Sequence, residues 1–216
     1  MNFNTARENM LLNQVRTWDF ISPENINIMR KLQREEFVPV EHRKLAFSDL
    51  EIPLANNEHM MKPILEGRIF QALELTGKEK TLEIGTGSAY MTALLALASK
   101  HVTSIDIHQG FTDSAIEKLA EANISNADCL NQDLYTYDFS DKYDCIVITG
   151  SVDKFPEFLL DHISDDGKIF VIVGDNPIMT AYIMSKDNDG QSQIQSLFET
   201  AVKPLTNTEE TSIFEL

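Results

Sequence analysis

The chain has 216 residues, 43% of them hydrophobic and 24% charged, which is enough apolar material for a sizeable core and excludes a disordered, collagen-like or coiled-coil protein. Acidic residues outnumber basic ones by 34 to 18, for a formal net charge of −16. That field repels phosphate backbones and anionic headgroups, so neither nucleic acid nor a membrane surface is an expected partner.

The first residues, Met1 to Gln14, carry Arg7, Glu8 and scattered asparagines. They lack the basic start and long apolar core of a secretory leader, so a cytoplasmic location is expected. Residues 1 to 45 read as helical. Ser22-Pro23-Glu24 has the order of a helix start, with a capping serine, proline at the first helical position and an acid in the first turn. Ile26, Met29 and Leu32 or Gln33 follow as a helical stripe. Ser48 to Pro63 is polar and rich in turn formers, a loop or connector, and Glu66 to Leu75 is a helix closed by Gly77.

From residue 79 the rhythm changes to short β-type runs separated by helical patterns. Strands are expected at Lys80–Ile84, His101–Ile107, Tyr143–Thr149 and Lys168–Val173, with a weaker one around Ala127–Asn131. Helices are expected at Tyr90–Ser99 and Phe111–Ala122, with a shorter one at Phe155–Ile163 before a turn at Asp165-Asp166-Gly167. The apolar run Met91 to Ala98 stops at Ser99 and Lys100, well short of the roughly 18 residues of a membrane span. Alternation of this kind predicts an α/β fold with a mostly parallel sheet covered on both faces. Thr180–Lys186 and Gln193–Val202, around Asp187-Asn188-Asp189-Gly190, predict an antiparallel edge hairpin.

The densest motif runs from Thr81 to Tyr90, where a strand ends in Gly85, Thr86, Gly87 and Ala89 immediately before a helix. Glycines there let the backbone turn sharply and let a ligand approach at the strand end, where doubly wound sheets bind ligands. A dinucleotide fingerprint would place its third small residue at Tyr90, which is too bulky, so a nicotinamide cofactor is disfavoured. The spacing instead resembles the E-x-G-x-G-x-G signature of class I S-adenosylmethionine-dependent methyltransferases, with Glu83 as the acid and Ala89 replacing the last glycine. Asp106 and Ile107 close the next strand; a carboxylate there can accept hydrogen bonds from two ribose hydroxyls or merely cap the following helix. The resemblance implies an adenine contact near Asp133, for which a solvated loop acid is the plain alternative. Thr149-Gly150-Ser151 faces the same crevice by topology or forms a simple turn, and Tyr90 either flanks the cofactor or covers the sheet as a core aromatic.

Several separated segments together resemble the protein-L-isoaspartate O-methyltransferase family. These are Arg34 to Pro39, Ile52-Pro53-Leu54 through Pro63 and Arg68, Leu82 to Tyr90, and Tyr143-Asp144 through Thr149. The resemblance implies a Rossmann-like doubly wound sheet, S-adenosylmethionine as cofactor, and methyl transfer to the α-carboxylate of isoaspartyl residues in protein or peptide substrates. It implies one methyltransferase domain over 1–216, with N-terminal helices and substrate loop in 1–78 and the cofactor core in 79–216. The family loop usually reads P-[IL]-G-x-G-Q-T-I-S-x-P, with a proposed active-site serine. Here Met61 stands at the serine position, His59 at the threonine position, and Ala55 and Asn57 replace glycines.

A carboxylate ordinarily has a pKa of about 4 and is already ionised at neutral pH, so its methylation needs alignment and desolvation more than a base. His59 and Lys62 are the nearby candidates to position it, with Met61 filling apolar space; a solvated lysine and a turn-bonding histidine are the plain alternatives. The altered loop leaves two others open: a different protein or small-molecule acceptor, or a non-catalytic S-adenosylmethionine-binding protein.

No metal is expected. Cys129 and Cys145 lack C-x-x-C spacing and read as buried free thiols, and the histidines lack zinc-type pairing. Asp187-Asn188-Asp189-Gly190 resembles a calcium loop, but the twelfth position of that register is Ser196 in place of a bidentate glutamate.

Overall fold

The computed structural model describes residues 2–17, 21–187 and 190–206. Helix α1 (Phe3–Asn13) is capped by the Asn2 side chain, and α2 (Pro23–Lys31) by the Ser22 hydroxyl, which accepts from the Asn25 N–H at 3.1 Å. Ile26, Met29 and Leu32 form the buried stripe expected of α2. Among the described residues, the rest of 1–45 is not continuous helix: short 3-10 segments stand at Val15–Thr17, Arg34–Glu36 and Val40–Leu45. Leu32 leaves the helical region and Pro39 has no N–H to donate, so the chain bends and turns Arg34 inward.

Two short strands, β1 (Ile52–Pro53) and β2 (His59–Met60), pair antiparallel around the segment Leu54–Glu58. Helix α3 (Pro63–Ala72) follows at once, starting three residues earlier than expected because Pro63 suits the first helical position. The remaining elements are β3 (Lys80–Ile84), α4 (Tyr90–Ala98), β4 (His101–Asp106), α5 (Gln109–Glu121), β5 (Ala127–Asn131), β6 (Tyr143–Val152), β7 (Ile163–Val173), β8 (Met179–Lys186) and β9 (Ser192–Thr200). They assemble, among the described residues, into a seven-stranded sheet of order β5-β4-β3-β6-β7-β8-β9. The first five strands in that order run parallel, and β8 and β9 return antiparallel as the expected edge hairpin. Asn188 and Asp189, in its predicted turn, lie outside the described residues.

Side chains alternate across the sheet as a strand period of two requires. Cys145 and Val147 of β6 face a cluster built with α1 to α5, whereas Ile146 and Ile148 face Leu134, Leu159 and Leu160. Both faces are covered, but unequally. The predicted helix at 155–163 is 3-10 helix at Glu157–His162, and the predicted turn at 165–167 lies inside β7. Tyr143 pairs with Ile163 across an irregular register, and the Ser164 hydroxyl donates to Asp144 at 2.8 Å, drawing those residues into the sheet. Both cysteines are free and buried, and burial pushes their thiols up to about 12.

Strand order reverses around β3, which has β4 on one side and β6 on the other. The carboxyl ends of these strands therefore open onto a crevice at the switch point of the sheet.

Candidate active site

The turn after β3 is built by left-handed backbone: φ is +99° at Gly85, +49° at Gly87 and +68° at Ala89. A Cβ on Gly85 would lie 2.3 Å from the Thr149 hydroxyl oxygen. That hydroxyl reaches the carbonyls of Ile84 at 3.0 Å and Gly85 at 2.8 Å, so Thr149 fastens the end of β6 to the glycine turn. Ala89 holds the left-handed position directly before α4, where glycine would be unstrained.

Asp106 forms the opposite wall. Its Oδ2 accepts from the Gly87 N–H at 3.0 Å and its Oδ1 from the His108 N–H at 2.9 Å. Each oxygen keeps a second lone-pair site, and the carboxylate borders the cleft with Ile107, His108 and Asp133. Burial raises the Asp106 pKa, and the two backbone N–H bonds act in the opposite direction. Asp133 also accepts from the Tyr135 N–H at 2.8 Å, so this acid shapes its own turn while bordering the cleft.

Glu83, expected beside the cofactor, and Tyr90, open between cofactor and core, do not border the cleft. Glu83 is fully buried below the turn, where its Oε2 accepts from Thr92 at 2.5 Å and Ser104 at 2.6 Å. The Thr86 hydroxyl sits 2.6 Å from that of Ser104, so Glu83 braces the turn through Ser104 and Thr86. Burial pushes the Glu83 carboxyl up to about 8, against the pull of its two hydroxyl donors. Tyr90 is also fully buried; α4 carries it away from the cleft to meet Phe37 edge-on at 5.5 Å, with the Arg34 guanidinium 5.4 Å from its ring centroid.

The loop between β1 and β2 forms the remaining wall. Leu54 Cδ1 would be 3.7 Å from a Cβ on Gly87, so this loop sits directly against the glycine turn. Asn56 and Asn57 adopt positive φ, at 55° and 58°, which asparagine tolerates better than most residues. His59 and Met61 border the cleft. Lys62 does not: it stands exposed immediately before α3, because Pro63 starts the helix and turns its predecessor outward.

The loop is anchored from behind. Arg34, fully buried, pairs with Glu66 of α3 at 2.9 Å and donates to the carbonyls of Ala46 at 2.5 Å and Met61 at 2.7 Å. Burial still pushes the Glu66 carboxyl up to about 7 in spite of the guanidinium beside it. Lys118 of α5 donates to the carbonyls of Phe37 and Ser88 at 3.2 Å each, tying the N-terminal region to the glycine turn.

Several cleft residues carry no signal in the sequence. Glu51 and Glu58 lie on the loop side, Gln132 and Tyr135 near Asp133, and Lys203 and Leu205 enter from the segment after β9. That segment returns beside β6, where the Ser151 N–H donates to Lys203 O at 3.2 Å and the Leu205 N–H to Ser151 O at 2.9 Å. Among the described residues no group of three or more His, Cys, Asp or Glu is arranged to hold a metal, and no helix is long and apolar enough to cross a membrane.

A nucleoside cofactor fits these residues. The space beside Gly87 is free of any Cβ, a buried carboxylate with spare acceptor sites stands opposite, and a second acid borders the far end. Fold and site together define a Rossmann-like methyltransferase of class I. The family model for "Protein-L-isoaspartate(D-aspartate) O-methyltransferase" matches residues 6–210. The chain is 33% identical over 173 residues to protein-L-isoaspartate O-methyltransferase 2 of Shewanella sediminis, covering 80% of this chain and 70% of that one. It is 29% identical over 194 residues to protein-L-isoaspartate O-methyltransferase 1 of Pelobacter propionicus, covering 88% and 90%. Among solved structures, a Plasmodium falciparum protein-L-isoaspartate O-methyltransferase in complex with S-adenosyl-L-homocysteine superposes with a TM-score of 0.77 at 17% identity, covering 95% of this chain and 98% of that one. The chain belongs to the protein-L-isoaspartate(D-aspartate) O-methyltransferase family. S-adenosylmethionine is its methyl donor.

Proposed function

We propose that this protein methylates the α-carboxylate of isoaspartyl residues in proteins and peptides, using the cleft between the glycine turn and the β1–β2 loop. The observation that carries this reading is the seating of that loop against Gly87, which brings the cofactor turn and the acceptor loop to one cleft. S-adenosylmethionine supplies an electrophilic methyl group on a sulfonium sulfur. Asp106 would hold the ribose hydroxyls with its spare lone pairs, and Asp133 would meet the adenine end. The acceptor carboxylate is ionised at neutral pH, so the chain has no proton to remove.

What the chain supplies is placement and exclusion of water. Leu54, Met61 and Leu205 provide apolar surface around the transfer position, and His59 stands at the loop's edge to orient the peptide. Arg34 fixes the height of the loop by holding the Met61 carbonyl. Replacement of the family serine by Met61 removes a hydroxyl donor but leaves an in-line approach intact, because the chemistry asks for no base. With membership of this family established, a different acceptor and a non-catalytic binding role are not needed to explain the cleft.

The test is transfer of labelled methyl from S-adenosylmethionine to paired peptides differing only in an isoaspartyl or aspartyl linkage. Label on the isoaspartyl peptide alone is expected. Equal labelling of both, or of neither while S-adenosylhomocysteine still binds, would overturn the assignment.

A further inference from the structure

The acceptor in this cleft is an anion, yet its walls carry Glu51, Glu58, Asp106 and Asp133 on a chain of net charge −16. The loop from Pro53 to Pro63 contains neither serine nor threonine, so it has no hydroxyl to offer. Lys62 stands outside. Among the described residues that border the cleft, Lys203 is the one lysine or arginine. It comes from the segment after β9, on the side facing the β1–β2 loop.

Resting on the isoaspartyl assignment above, we infer that Lys203 is the acceptor-binding cation, a specificity residue standing in for the hydroxyl absent from the loop. An ammonium carries three N–H donors. One goes to Glu58 Oε1 at 2.6 Å and a second to the Asn57 carbonyl at 3.0 Å. These two bonds fix the nitrogen against the loop and leave the third donor for an incoming carboxylate. The side chain is 36% exposed, so an acceptor reaches it without displacing a packed group. Glu58 has a double effect: it holds the ammonium in place, and its own charge opposes the acceptor.

That opposition separates a substrate contact from a mere strap between the loop and the C-terminal segment. Steady-state kinetics with an isoaspartyl peptide at saturating S-adenosylmethionine would be compared for the wild type, Lys203→Met, Lys203→Arg and Glu58→Gln, with S-adenosylhomocysteine affinity measured by calorimetry. Lys203→Met is expected to raise the peptide KM roughly tenfold or more, the scale of one charge-assisted hydrogen bond. It should move kcat far less, leave S-adenosylhomocysteine affinity in place, and flatten the rise of KM with salt. Lys203→Arg should recover most of the loss, and Glu58→Gln should lower KM by removing a like charge. A strap would behave otherwise, both Lys203→Met and Glu58→Gln raising KM together, and that result would overturn the assignment, as would an unchanged KM in Lys203→Met. Were the wild type to bind S-adenosylhomocysteine but leave the isoaspartyl peptide unmethylated, the acceptor assignment itself would fall and this role with it.

Discussion

Replacing Arg34 by methionine keeps an apolar stem of similar length and removes every polar contact behind the acceptor loop. Those contacts are the paired bonds to Glu66 at 2.9 and 3.2 Å and the bonds to the Ala46 and Met61 carbonyls. Arg34 and Glu66 side chains are 0% and 2% exposed, so water does not replace what is lost. Removing one partner of such a buried pair costs roughly 3–5 kcal/mol, and each orphaned carbonyl adds about 1–3 kcal/mol. Glu66, already pushed up to about 7, relieves part of this by taking a proton at neutral pH. A net loss of at least about 4 kcal/mol follows, or roughly 8–16 °C or more in Tm for a chain of this size. Urea unfolding followed by circular dichroism would measure it. A double variant, Arg34→Met with Glu66→Met, should regain part of that stability, because no buried charge remains while the Ala46 and Met61 carbonyls stay unpaired. It should still bind the peptide poorly, since nothing holds the Met61 carbonyl. A loss below about 1 kcal/mol in the single variant, or a double variant whose cost is the sum of its singles, would refute this reasoning.

Other variants test the cofactor side. Asp106→Ala should weaken S-adenosylhomocysteine binding by about 2–4 kcal/mol in calorimetry, through loss of a charged acceptor and of the Gly87 N–H partner; full retained affinity would contradict the ribose role. Gly85→Ala, with its Cβ 2.3 Å from the Thr149 hydroxyl and φ at +99°, should cost several-fold in cofactor affinity and at least about 1–2 kcal/mol in stability. Ala89→Gly should be near neutral by thermal unfolding: relief of left-handed strain, about 1 kcal/mol, offsets loss of a buried methyl worth about 0.8 kcal/mol. The Glu83 carboxyl, ordinarily near 4.5, is pushed up to about 8, so the folded state holds its proton more tightly than the unfolded chain does. The stability it contributes is complete below about pH 4.5 and is lost as pH rises through about 8. Glu83→Gln still accepts from Thr92 and Ser104, and its stability relative to wild type should rise from pH 5 to pH 8 by on the order of 3 kcal/mol. Parallel stability curves would contradict that.

Strand positions were legible in the sequence because central parallel strands are continuous apolar runs bounded by turn residues; β3 begins and ends where Lys80 and Ile84 predicted. The glycine turn and Asp106 were legible for a related reason: both lie at strand ends, where topology alone directs them to the switch point. Tyr90 stayed open between cleft and core because adjacency to the turn says nothing of direction; as the first residue of α4 it is buried against Phe37. Glu83 misled, since a strand residue alternates in facing and this one lies beneath the turn among Ser104 and Thr92. Lys203 had no signal at all. It meets Glu58 from 145 residues away, and that approach depends on the β8–β9 hairpin bringing the chain back beside β6. The 3-10 segment at Glu157–His162 read as helix because its leucines are spaced to cover the sheet, which a short 3-10 helix does equally well.

The most direct measurement is a crystal structure with S-adenosylhomocysteine and an isoaspartyl peptide bound together. It should show the ribose hydroxyls on Asp106, the sulfur facing the β1–β2 loop, and the peptide carboxylate between that sulfur and Lys203. A nucleoside held away from Asp106, or a peptide lying outside the cleft formed by the glycine turn and Leu54 to Met61, would contradict the proposed site.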